Sequence, residues 1–152
     1  MIVVDTNVIG YLYLSSERSG QAEQAIKKDP DWAAPLLWKS ELRNVLATYV
    51  NQALISLEDA IHIISAAEHL MEDSEYETVS DQVLKLAEQS KCSAYDCEFV
   101  ALAMALDVPL VTVDKKVLAQ FPGISIDLNE FVSGIQDDKP LVLDEVPQGY
   151  ET

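Results

Sequence analysis

The chain opens MIVVDTNVIGYL (residues 1–12), and the reading of this stretch decides the fold. Ile2, Val3 and Val4 form a short apolar run of the kind that makes a strand buried on both faces. The run stops at Asp5-Thr6-Asn7, and an apolar pattern resumes at Val8. The carboxylate at the junction has two physical readings. Asp5 is a good N-cap, because its side-chain oxygen can satisfy free amides in the first turn of the following helix. It is also a candidate cation ligand at the carboxyl end of a strand, where sites form in open parallel sheets.

The rest of the chain repeats this alternation. Helical spacing is expected over Val8 to Leu14 and Glu17 to Lys28, with Asp29-Pro30 as the stop. Trp32–Ala34 reads as a short strand. A long helix is expected from Leu36 to Gln52, with Leu42, Val45, Leu46, Tyr49 and Val50 on its buried face. Another opens at Leu57, with Ala60, Ile63, Ile64, Ala67, Leu70 and Met71 on one stripe. Glu75 to Val79 reads as a strand, Asp81 to Ser90 as a helix, and Ala94 to Leu106 as a strongly apolar, central helix. Leu110–Val113 is a second apolar strand, followed by Asp114 and a short helix to Phe121. Ile124–Ile126 is a third. Strands alternating with helices give an α/β fold with a mostly parallel sheet covered on both faces.

The 152 residues fit one domain with a real hydrophobic core. Cys92 and Cys97 show no metal-ligand spacing and read as free thiols in a reducing cytoplasm. No apolar run approaches the ~20 residues of a membrane span, and no signal peptide is expected. From about Asp137 the composition changes: Pro140, Pro147, five acids and one base precede the end at Thr152. This stretch reads as an acidic tail, or as an arm docking through Leu141-Val142-Leu143. The net charge of −16, from 26 acids against 10 bases, argues against nucleic-acid binding by broad phosphate neutralisation. It leaves room for an enzyme that meets one phosphate through a bound cation, because the ion inverts the local electrostatics.

Three more carboxylates stand where Asp5 stands, at places that matter. Asp114 follows the strand in LVTVDKK (110–116), so it is either a cap or the counterpart of Asp5 at a second strand end. Asp96 lies in CSAYDCEFVALAMAL (92–106), where Ser93-x-x-Asp96 resembles a capping box. The helix behind it is almost wholly apolar, and an unpaired charge near a core is costly. Glu41, in WKSELRNVL (38–46), falls at the edge of its helix's apolar stripe, and Arg43 is poorly placed to pair with it. Carboxylates gathered without an ion repel one another. Hard cations such as Mg²⁺ or Mn²⁺ favour such oxygen ligands. Lys115 and Lys116 beside Asp114 are candidates for neutralising a substrate phosphate, or are plain solvated lysines. Thr6 and Tyr95 read as packing or capping residues. His62 and His69, roughly 10 Å apart along one helix, are too distant to share an ion. A dehalogenase-type phosphatase also begins with a strand and an Asp, but Asn7 stands where that chemistry wants a second Asp.

As a set, Asp5-Thr6-Asn7, Ser40-Glu41-Leu42, Ala94-Tyr95-Asp96 and Thr112-Val113-Asp114 resemble the PIN-domain pattern, in the style of the VapC-type toxins of toxin–antitoxin pairs. The resemblance covers Met1 to about Gly134, so residues 1–134 are expected to be the nuclease domain and 135–152 a tail outside the family pattern. It implies a three-layer α/β/α sandwich and cleavage of RNA with Mg²⁺ or Mn²⁺. Carried onto this chain, it makes Asp5 and Asp96 the main metal ligands, with Glu41 and Asp114 completing the site. Asn7 and Thr112 would support them by hydrogen bonds. A homodimer and a cognate antitoxin are the partners it implies. Two other readings stay open: a partner-binding module with little catalysis, and an RNA-processing nuclease outside any toxin pair.

Overall fold

A computed structural model describes residues 1–138. Five strands form one parallel sheet: β1 (Ile2–Val4), β2 (Trp32–Pro35), β3 (Glu75–Tyr76), β4 (Leu110–Thr112) and β5 (Ser125–Asp127). Their spatial order is β3-β2-β1-β4-β5. The chain first builds outward from β1 on one side, then crosses to place β4 on the other. The boundary between β1 and β4 is therefore the switch point, the place in an open sheet where a crevice forms beyond the strand ends.

Helices cover both faces. They are α1 (Thr6–Tyr13), α2 (Ser19–Lys28), α3 (Leu37–Asn51), α4 (Leu57–Met71), α5 (Ser80–Ser90), α6 (Ala94–Leu106), α7 (Lys115–Gln120) and α8 (Leu128–Asp138). The apolar α6 packs on β1, β2 and β4, and α5 packs on its back. That double burial explains why Cys97, Phe99, Val100, Ala101, Leu102 and Ala103 are all enclosed: the helix has hardly a solvent face to make polar. The other group joins α1 to α2, α3 and α4, with α8 against α2, β4 and β5. The sandwich is thus the three-layer α/β architecture that the alternation predicts. Trp32, Trp38, Ile9, Leu42, Met71, Leu110 and Leu128 are the largest fully buried side chains.

Three expectations need correction. The strand expected over Glu75 to Val79 has only two residues, because its partner β2 ends at Pro35 and the chain turns into α3. Beyond Tyr76 there is nothing left to pair with. The last strand runs Ser125–Asp127, one residue later than expected. The helix α8 was not foreseen. Leu128, Phe131 and Val132 bury one of its faces. The expected docking segment Leu141-Val142-Leu143 lies outside the described residues. Among the described residues, no helix is long and apolar enough to cross a membrane.

Candidate active site

The register of β1 on β4, with Val3 against Leu110 and Val4 against Val111, brings Asp5 beside Thr112 at the switch point. The Asp5 amide donates to the Val111 carbonyl at 3.1 Å, continuing the ladder by one rung. Its carboxylate does two jobs. Oδ1 caps α1, accepting from the amides of Asn7 at 2.7 Å and Val8 at 3.3 Å. Oδ2 accepts a short hydrogen bond from the Thr112 hydroxyl. The same hydroxyl oxygen accepts from the Asp114 amide at 3.0 Å, so Thr112 ties both strand-end acids together. Asp114 repeats the capping pattern on α7, where Oδ1 accepts from Lys116 and Val117 at 2.9 and 3.1 Å. Capping and site-building are therefore not alternatives here: capping leaves further lone pairs on each carboxylate.

Helices supply the other two acids. Asp96 sits in the first turn of α6, where Ser93 caps its amide at 3.0 Å. Glu41 stands on α3, and the buried Thr6 hydroxyl donates to its Oε1 at 2.6 Å. Asp5, Glu41, Asp96 and Asp114 all line one cavity of about 470 Å³, together with Asn7 and Thr112. Phe99, Leu37 and Val45 form apolar parts of its wall.

The electrostatics record crowding. Asp5 is half-buried, and desolvation pushes its pKa up against the pull of Thr112 and the amides of Val8, Asn7 and Val113. Burial also raises Glu41; Thr6 opposes it, while the charges of Asp5, Asp96 and Glu98 add to it. Asp96 is raised by burial and by Asp114, with Ser93 and Lys116 acting the other way. Four acids thus share a cavity with one lysine near enough to be felt. Among the described residues, no three His, Cys, Asp or Glu side chains are gathered tightly enough to close on one ion. The donor chemistry nevertheless fits a hard divalent cation: several carboxylate oxygens, mutually repelling, with no sulfur or imidazole.

Each candidate residue can now be placed. Asp5, Asn7, Glu41, Asp96, Thr112 and Asp114 come together. Asn7 supports Asp5 through its main-chain amide rather than its side chain, which is exposed at the cavity. Lys115 and Lys116 are exposed and lie outside the lining, and it is Lys116 that reaches Asp96 with its charge. His62 and His69 are exposed on α4, far from any role here. Cys92 and Cys97 are buried free thiols. Two residues were undervalued in the sequence. Thr6 holds Glu41 across 35 positions, and Tyr95 lines the cavity while remaining 62% exposed. A hydroxyl directly after Asp5 was the one available signal for the first.

The PIN domain family model matches residues 2–123, and the chain belongs to that family. Among proteins of known name, it is 27% identical over 126 residues to Ribonuclease VapC3 of Pyrobaculum aerophilum, covering 81% of this chain and 96% of the relative. Its fold is similar to three solved structures. PAE2754 from Pyrobaculum aerophilum superposes with a TM-score of 0.71 at 20% identity, over 90% of this chain and 96% of that one. A toxin–antitoxin complex from Klebsiella pneumoniae matches at 0.62 and 17%, over 84% and 98%. FitAcB from Neisseria gonorrhoeae matches at 0.66 and 17%, also over 84% and 98%.

Proposed function

We propose that this protein is a divalent-metal-dependent endoribonuclease acting as the toxin of a toxin–antitoxin pair. The observation that carries the reading is the convergence of Asp5, Glu41, Asp96 and Asp114 in one cavity at the switch point of the sheet. The name of the Pyrobaculum relative supports ribonuclease activity, and the Klebsiella neighbour supports an antitoxin partner. Asp5 and Asp96 would be the main ligands for Mg²⁺ or Mn²⁺, with Glu41 and Asp114 completing the site directly or through waters. When bound, the ion would supply Lewis acidity at the phosphodiester and lower the pKa of a coordinated water.

The chain's own residues do the rest. Thr112 and the first-turn amides of α1 fix the Asp5 carboxylate, so its orientation costs nothing on substrate binding. Thr6 occupies Glu41 Oε1, leaving Oε2 to take a proton from the attacking water. The water oxygen bonds to phosphorus as the bond to the 3′ oxygen breaks, and the departing 3′ oxygen takes a proton from solvent, leaving 5′-phosphate and 3′-hydroxyl ends. Lys116 is placed to offset the negative field met by an incoming phosphate. The apolar groove between α3 and α4, lined by Leu46, Leu57, Ala60, Ile61 and Ile64, supports a protein partner, either antitoxin or second copy. The buried free thiols are in keeping with a reducing cytoplasm.

The net charge of −16 favours a second reading, a PIN-domain binding module with little catalysis. Cleavage of a mixed single-stranded RNA separates the two. The purified protein is assayed with Mg²⁺, Mn²⁺ and EDTA, beside Asp96→Asn. The nuclease reading expects metal-dependent cutting, lowered at least a hundredfold in the variant. Metal-independent cutting contradicts the metal-dependent reading, and no cutting by a folded wild-type protein that binds the metal supports the binding module.

A further inference from the structure

Tyr95 lines the carboxylate cavity yet takes no part in holding a carboxylate. It is the second residue of α6, directly before Asp96, and it is 62% exposed. One turn further on, Phe99 is buried and lines the same cavity. Residues four apart share a helix face, so the face of α6 toward the cavity carries an exposed ring above a buried one, with Asp96 alongside. Across the cavity, α3 offers Leu37 and Val45. The site is therefore an acidic centre with a flat aromatic group at its mouth. This matches a charged phosphodiester flanked by flat bases.

The charge of the molecule strengthens the argument. With ten basic residues against 26 acids, release of counterions from the RNA backbone contributes little affinity. Beyond the scissile phosphate, single-stranded RNA is then held largely by contacts that carry no charge, and base stacking on an aromatic ring is the main such contact. A phosphodiester that reaches Asp96 brings its neighbouring nucleotide past Tyr95. We propose that Tyr95 is a stacking platform for one base of single-stranded RNA, the base next to the scissile phosphate. The proposal rests on the ribonuclease reading above and makes Tyr95 a positioning residue for that reaction. Because every base has an aromatic face, the platform accepts any base.

Two linked measurements test it. The first is steady-state cleavage of a mixed-sequence single-stranded oligoribonucleotide by wild type, Tyr95→Ala, Tyr95→Phe and Tyr95→Trp, each checked for folding by circular dichroism. Tyr95→Ala should raise KM roughly tenfold or more with little change in kcat, and Phe or Trp should recover it. Replacing each nucleotide in turn by an abasic one should reveal one position where wild type loses as much, and where Tyr95→Ala costs nothing further. The second is quenching of 2-aminopurine at that position on binding in EDTA, expected with Tyr or Phe at 95 and absent with Ala. Cutting by wild type with an unchanged KM in Tyr95→Ala overturns the inference and leaves the nuclease standing. So does failure of Phe to rescue, or an Ala penalty that persists on every abasic substrate. A folded wild type that neither quenches nor cuts overturns both.

Discussion

At the scale of single residues, the site is governed by two threonine hydroxyls that each hold a carboxylate. Thr112 donates to Asp5 and Thr6 donates to Glu41. A hydrogen bond to a charged group is worth about 1.5–3 kcal/mol, and it favours the ionised form. Burial raises the Glu41 pKa and the Thr6 bond resists that rise. Thr6→Val keeps the shape and deletes the donor, so the Glu41 pKa must climb further. If ionised Glu41 takes the proton from water, the acid limb of the pH–rate profile moves to higher pH, and activity measured on that limb falls roughly tenfold. Thr6→Ser restores both. An acid limb that does not move would remove Glu41 from proton transfer. The acids themselves were legible in the sequence, because Asp5, Asp96 and Asp114 sit at junctions between apolar segments. Of the hydroxyls that orient them, Thr112 is expected only through the family resemblance, and Thr6 reads as no more than a packing or capping residue. Thr112 meets Asp5 across 107 positions and Thr6 meets Glu41 across 35, and such pairings follow from strand register and helix packing, which no local pattern encodes.

At the scale of elements, capping set what could be read. The bounds of α6, Ala94–Leu106, match expectation because Ser93 caps one end and Asp107 adopts a left-handed conformation at the other. The strand β3 was overextended because its length is set by its partner rather than by Thr78 and Val79. The helix α8 buries Leu128, Phe131 and Val132 at helical spacing, a signal too short to stand out beside the acids that follow. One glycine stands out in this layer. Gly10 is in the middle of α1, and a Cβ there would meet Leu42 Cδ1 at 3.7 Å and Leu14 Cδ1 at 4.0 Å, ordinary contact distances. Glycine inside a helix costs about 1 kcal/mol relative to alanine. Gly10→Ala should therefore stabilise the protein by ~0.5–1 kcal/mol and raise Tm by about 2–4 °C. A lowered Tm would show that α1 needs the missing methyl group for its approach to α3.

At the scale of the whole molecule, charge governs both stability and the approach of substrate. The net charge of −16 and the fold class were both legible in the sequence; how the charge is distributed was not, since that depends on which strand ends meet. Asp5, Glu41 and Asp96 have pKa values raised above their ordinary range in the folded state, chiefly by burial. Between the ordinary and the raised values the folded protein binds more protons than the unfolded chain. Its stability therefore falls as pH rises through that window and recovers as pH falls back through it. The proposed divalent cation would reverse this penalty by replacing the protons, with an affinity that weakens toward acid for the same reason. The most direct test is the melting temperature of metal-free protein at neutral pH and near pH 5, with and without Mn²⁺, for wild type and Asp96→Asn. At a hundredfold excess over Kd, Mn²⁺ should stabilise wild type by roughly 2.7 kcal/mol at neutral pH, several degrees in Tm. The gain should shrink at pH 5. Asp96→Asn should melt higher than wild type without metal and gain little from it. A wild type whose melting ignores Mn²⁺ at both pH values, and matches Asp96→Asn throughout, would contradict the claim that these carboxylates form a cation site.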